Sequence, residues 1–240
     1  MALWCLVITG GAAVPTAAAE FGNAYAAVTA GFREGDFGTA VNSELYSLTP
    51  EFGYVSESYD LSASIPYHRL SVSGGGVSSS ESGIGDAELR GGKRLWRDEQ
   101  AAFSLNGALT VKLATGDENK GLGTGGTDVG VSLSGTRKSG LYAFTALAGY
   151  TQVGEPTGIS YDNVVSYGLG VNRRFSRSNV FASLQGQTSS IPGGTAPLEF
   201  DMGFFRMLSL DYVVIAHAFV GLSDGSPDDG MEIGVVRWFR

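Results

Sequence analysis

The feature that most limits how this chain can fold is a period-two alternation of apolar and polar residues that recurs from end to end. In "AAFSLNGALTVKL", Phe103, Leu105, Gly107, Leu109, Val111 and Leu113 fall on one face, with Ser104, Asn106, Ala108, Thr110 and Lys112 on the other. The same period appears in "DVGVSLSGT", where Val129, Val131 and Leu133 oppose Asp128, Ser132 and Ser134, and in "VVSYGLGVNRRF", where Val165, Tyr167, Leu169 and Val171 oppose Ser166, Gly168, Gly170 and Asn172. Each run predicts a strand with one dry face and one wet face. Beyond Ala19 no stretch approaches the roughly 18 apolar residues that a transmembrane helix requires, so any membrane span must be made of strands.

Twelve such runs are predicted, near 23–33, 41–55, 59–71, 84–96, 101–114, 127–137, 140–153, 163–175, 179–189, 198–208, 212–222 and 231–239. Their connections alternate in length. Short links ("SES", "RDEQ", "KS", "SRS", "LDY") take turns with longer ones ("EGDFGTA", "SGGGVSSSESG", "TGDENKGLGTGG", "GEPTGISYD", "SIPGGTAPLE", "SDGSPDDG"). A soluble sandwich has no reason to keep that parity. A bacterial outer-membrane barrel does, with short periplasmic turns, long extracellular loops, a lipid-facing apolar band and a polar interior. The sheet must close because an open edge in lipid leaves backbone groups unsatisfied. The expected fold is therefore all-β, an up-and-down antiparallel transmembrane β-barrel of about twelve strands, spanning 20–240 and monomeric.

Composition agrees with strands and turns: 36 glycines, 10 tyrosines and 13 phenylalanines, with charged residues at only 17%. A formal charge of −8 without a basic run argues against a nucleic-acid partner. The lone cysteine, Cys5, rules out an intramolecular disulfide or a cysteine-built metal site. Residues 1–19 carry an apolar run ending in Ala17-Ala18-Ala19, which reads as a secretory signal peptide although a basic n-region is missing.

The final segment, "EIGVVRWFR", alternates to the end. Glu232, Gly234 and Phe239 follow the polar-x-Gly-x-x-aromatic-x-aromatic pattern that resembles the C-terminal assembly signal of outer-membrane barrels, read by their assembly machinery. Arg237 replaces its first aromatic and Arg240 follows its last. An arginine near the interface can snorkel, so Arg237 is compatible with a lipid-facing position.

Three stretches, "GYVSESYDLSASIPY", "SGIGDAELRGGKRLW" and "LTVKLATGDENKGLGTGGTDVGVSLSG", resemble the MetA-pathway phenol-degradation, or transporter-like, family of outer-membrane proteins. Gly83, Gly85 and Asp86 match its "GxGD" strand start. Ala114, Thr115, Gly116, Gly121, Gly123, Thr124 and Gly125 match its long strand ending in a Gly-rich loop. The resemblance implies a barrel in the bacterial outer membrane, in contact with lipid, that passes small aromatic or other hydrophobic solutes. It implies no cofactor.

Inward positions are unusually charged: Asp86, Glu88, Arg90 and Arg94 share one face, joined by Lys112, Asp128 and Arg174 from other strands. Two readings stay open, a polar pore whose charges screen the solute and an ion-pair network that plugs the barrel. Twelve strands lie between the self-filling eight and the water-filled sixteen. His217 is expected inward with Val213, Ile215 and Phe219, and His68 follows Tyr67 on the third strand. Either histidine could be a satisfied interior residue, or His217 could stand beside a bound ligand. A lipid-acting barrel enzyme would need a Ser–His arrangement, and no G-x-S-x-G is present. The "GLGTGG" run leads into a strand, not the helix a dinucleotide site needs. The acidic stretches "DGSPDDG" and "GDENKG" read as solvated loop charge, with weak Ca²⁺ binding as the alternative. A channel is the expected function, and a non-conducting structural or surface-binding barrel is the alternative.

Overall fold

A computed structural model describes residues 23–156 and 160–239; the predicted signal segment lies outside the described residues. The strands are β1 (Asn23–Gly35), β2 (Val41–Val55), β3 (Tyr59–Ser64), β4 (Tyr67–Gly74), β5 (Val77–Ile84), β6 (Ala87–Asp98) and β7 (Phe103–Leu113), followed by β8 (Asp128–Ser139), β9 (Tyr142–Gln152), β10 (Val164–Arg174), β11 (Ser178–Gln187), β12 (Leu198–Met207), β13 (Tyr212–Gly221) and β14 (Asp229–Phe239). All pairings are antiparallel, and β1 pairs with both β2 and β14, so the sheet closes. The closing register runs from Ala24↔Phe239 to Glu34↔Asp229. That pairing gives the hydrophobic end of the chain its partner.

The fourteen strands make twelve spans, because β3 continues into β4 and β5 into β6. The interruption has a chemical cause. Pro66 in the β3–β4 break lies across from the Thr49-Pro50 step of β2, whose pairings are Leu48↔Tyr67 on one side and Glu51↔Ser64 on the other. Neither proline has an N–H to give the ladder. On the other side the register changes from Tyr67↔Ile84 to Ser64↔Glu88, so two residues face three, Gly85, Asp86 and Ala87. This is a β-bulge.

One connection differs from its sequence reading. "SGGGVSSSESG" is not a long loop. β4 and β5 run on as a hairpin to Gly74↔Val77, turned by Gly75 and Gly76 at φ 58° and 81°. Positive φ at both central residues is what a tight hairpin turn needs, and the serine-rich arm beyond it alternates too weakly to announce a strand.

Side-chain direction follows the pleat. Along β14, Met231, Ile233, Val235, Arg237 and Phe239 are exposed outward, whereas Gly230, Gly234, Val236 and Trp238 are buried inward and Glu232 partly so. Large apolar residues cover the outside, among them Phe52 at 66% exposure and Leu169 at 65%. Such a surface is unsuited to water and suited to lipid. The main buried apolar cluster lies inside, at the end holding both chain termini: Tyr25, Phe205, Val213, Val236 and Trp238.

Candidate functional site: the barrel interior

The bulge at Gly85-Asp86 anchors the loop that follows β7. One Asp86 carboxylate oxygen accepts the Gly116 N–H at 2.9 Å, and the other accepts the Thr124 N–H at 2.9 Å and the Thr124 hydroxyl at 3.3 Å. Beside it the Thr115 hydroxyl donates to the Gly85 carbonyl and accepts the Ala87 N–H, both at 2.8 Å. Lys112, 3% exposed, pairs with Asp128 at 2.8 Å and Asp86 at 3.6 Å and hydrogen-bonds Thr124. Asp128 in turn accepts the Gly154 N–H at 2.8 Å. No charge in this centre stands alone, as burial demands. The loop then turns onto the inner wall, and Leu122 packs on Leu70 and Val72 of β4 and on Val41 and Leu45 of β2. Gly85 is required at the bulge, because a Cβ there would collide with the His68 ring. His68 Nδ1 is buried without a partner among the described residues.

Two further banks of polar side chains lie along the wall. In the first, the Tyr25 hydroxyl donates to Glu51 at 2.6 Å and Arg90 pairs with Asp60. Glu88 sits opposite Lys112, and Arg94 opposite Asn106, on the same inward face. In the second, Arg33 bonds Glu232 at 2.9 Å and lies 4.4 Å over the Phe219 ring. His217 Nε2 is 3.3 Å from Glu232, and its Nδ1 is 3.8 Å from Asp201, too long for a hydrogen bond. Glu199 is 2% exposed, and one of its oxygens has no partner among the described residues. Arg174 stands apart, opposite Asn179 at the terminal end of the barrel.

The predicted residues thus separate. Asp86, Lys112 and Asp128 form the loop anchor; Glu88, Arg90 and Arg94 lie along one wall; His217 and Glu232 lie on another. Gly234 faces inward against Thr29, and Phe239 faces outward. Sequence reasoning missed Tyr25, Arg33, Glu51, Asp60, Glu199 and Asp201. Their signal was parity: Glu199 and Asp201 alternate with Phe200 and Met202, and Asp60 and Ser62 with Leu61. Among the described residues no three His, Cys, Asp or Glu side chains gather as a metal site.

Among the described residues every ion pair between strands joins neighbours, Arg33–Glu232, Arg90–Asp60 and Lys112–Asp128, and His217 likewise faces Asp201 and Glu232 on the two strands beside it. Glycines provide sockets that flatten the larger side chains against the wall. Tyr25 lies over Gly53 and Phe219 over Gly230, each its cross-strand partner, and a Cβ at either glycine would strike the ring above it.

A closed twelve-span antiparallel barrel with an apolar exterior and charged interior is a transmembrane β-barrel of the bacterial outer-membrane type. The family model described as "Putative MetA-pathway of phenol degradation" matches residues 10–196, and the chain belongs to that family. Among solved structures it is similar to the KdgM porin (8% identity, TM-score 0.58, covering 90% of this chain and 99% of that one). It is also similar to the NanC porin (11%, 0.57, 88% and 98%) and to the translocator domain of the autotransporter NalP from Neisseria meningitidis (14%, 0.55, 91% and 88%). At these identities the likeness is one of fold. No curated protein matches the chain in sequence.

Proposed function

We propose that the barrel is a non-enzymatic channel for small solutes across the outer membrane, with aromatic or other hydrophobic compounds as its cargo. The observation that carries this reading is the direction of the interior contacts. Ion pairs between neighbouring strands run along the wall, and a network that plugged the barrel would instead bridge opposite walls. The glycine sockets act in the same sense, keeping Tyr25 and Phe219 out of the central space. Aromatic cargo is supported by the family's description and by the interior shelf of Tyr25, Trp238, Phe181 and Phe205, whose neighbouring rings lie 5.2 Å apart. Glu88, Arg90, Arg94, Arg174 and His217 form the polar lining that orients the solute.

One observation favours the non-conducting alternative: the loop held by Asp86 sets Leu122 inside the barrel, on Leu70 and Val72. Planar-bilayer recording separates the two. Refolded protein should give single-channel steps, and Arg90→Gln, which removes a lumen cation without setting a new carboxylate against Asp60, should raise preference for cations. Absence of conductance from a folded barrel would refute the channel. Unchanged selectivity would remove Arg90 from its lining.

A further inference from the structure

Cations on the outer wall are concentrated at one end. Lys93, Arg137, Arg173, Arg206 and Arg237 are all exposed on outward positions near the short turns. Among the described strand residues the single outward cation elsewhere is Arg69, on the β4–β5 hairpin at the far end. Outward carboxylates are distributed the opposite way. Glu34, Glu44 and Asp229 lie side by side on β1, β2 and β14 at the long-loop end. At the short-turn end the carboxylates lie at the turns: Glu57, Asp98, which accepts the Ala101 N–H, Glu99, which pairs with Arg97, and Asp211. None of the five cations is in an ion pair among the described residues.

Two of these cations are also held in place. Arg237 lies 5.9 Å over Tyr212 and 5.1 Å over Phe239, and Arg173 lies 5.6 Å over Tyr142 and 5.0 Å over Phe175. Stacking keeps each guanidinium at the level of the aromatic band, where lipid headgroups begin. Lys93 follows Gly91 on the outward face. Gly91 lines a shallow hollow of about 570 Å³ between Phe52, Leu61, Leu89 and Leu109. A lipid whose headgroup met Lys93 would lay an acyl chain there.

We propose that the periplasmic rim is a binding girdle for anionic glycerophospholipids, whose phosphates are taken by Lys93, Arg137, Arg173, Arg206 and Arg237. The proposal rests on the outer-membrane orientation, not on conduction. A guanidinium on an aromatic face matches a phosphate by both charge and donor geometry. The acidic outward patch at the other end repels the same headgroups, so the preference belongs to one leaflet.

The test is electron paramagnetic resonance of spin-labelled phosphatidylglycerol and phosphatidylcholine in phosphatidylcholine vesicles holding the intact barrel. The wild type should retain phosphatidylglycerol over phosphatidylcholine by about fivefold, as expected for about one cation acting on each headgroup near the surface. The preference should fall severalfold in salt of about 1 M. The variant with all five cations changed to Gln should lose it, and Arg69→Gln with Lys120→Gln should keep it. Should the five-site variant fail to fold, Arg173→Gln with Arg237→Gln should lower the preference by about half. An absent preference in the wild type, one that survives in whichever girdle variant folds, or one lost with Arg69 and Lys120 would overturn the proposal. Conductance plays no part in these readouts, so a sealed barrel would leave the result intact.

Discussion

Replacing Asp86 should free the loop after β7 before it disturbs the barrel. Its carboxylate takes two backbone N–H groups and one hydroxyl and sits 3.6 Å from the buried ammonium of Lys112. Asp86→Ala removes two charge-assisted bonds to Gly116 and Thr124, each about 1.5–3 kcal/mol. Lys112 is not left alone, since Asp128 stays at 2.8 Å, so the full penalty of about 3–5 kcal/mol for an orphaned buried charge is not reached. The net expectation is about 3 kcal/mol for Ala, and about half that for Asn, which keeps an acceptor. With a slope of about 2 kcal/mol per molar urea, the Ala variant's unfolding midpoint should fall by about 1.5 M. The loss should begin locally: limited proteolysis should cut within 116–124 under conditions where the parent is uncut. An unchanged midpoint together with an uncut loop would refute the anchor. Conductance of the same variant adds information, because a loop that narrows the interior should on release give larger steps.

Two further outcomes follow from the packing. Gly53→Ala should displace Tyr25 from its socket, breaking its 2.6 Å bond to Glu51 and its contact with Trp238; an overpacked site of this kind costs about 2 kcal/mol, measurable as a lower thermal midpoint of the gel mobility shift, and an unshifted midpoint would show that the ring has room to move. Phe239→Ala should slow membrane insertion by purified assembly machinery more than Arg237→Ala does, because it removes both the terminal aromatic and a ring that supports Arg237; equal rates would show that Phe239 carries no assembly signal.

The strand pattern was legible because lipid outside and water inside impose the same alternation on every span. An even number of spans and connections that alternate short and long, broken only at the tight β4–β5 hairpin, follow from the same constraint. What could not be read was anything set by the register between strands. Asp60 meets Arg90 only because Asp60↔Gly92 is the pairing, and Arg33 reaches Glu232 only because Gly31↔Glu232 closes the barrel. The β3–β4 break had visible letters, Pro50 and Pro66, but their juxtaposition depends on the β2 register. The serine-rich arm of β5 was lost for the opposite reason: neither of its faces is apolar enough to mark a strand.

The motifs that carry the family resemblance meet in space, which bears on what they are for. Gly85 is there because His68 fills the place of a side chain, and Asp86 is there because the loop needs an acceptor for Gly116 and Thr124. Thr115 and Thr124 complete the same joint. These residues hold a loop on a bulge and leave little of their polar capacity for a solute. The second bank differs, since one Glu199 oxygen and the His217 Nδ1, whose ring lies 6.1 Å from Phe181, have no hydrogen bond among the described residues. Polar atoms left unpaired inside a barrel are where a passing molecule can be told from water. Selectivity is therefore better sought at Glu199, Asp201 and His217 than in the family's own signature, whose residues are already satisfied by one another.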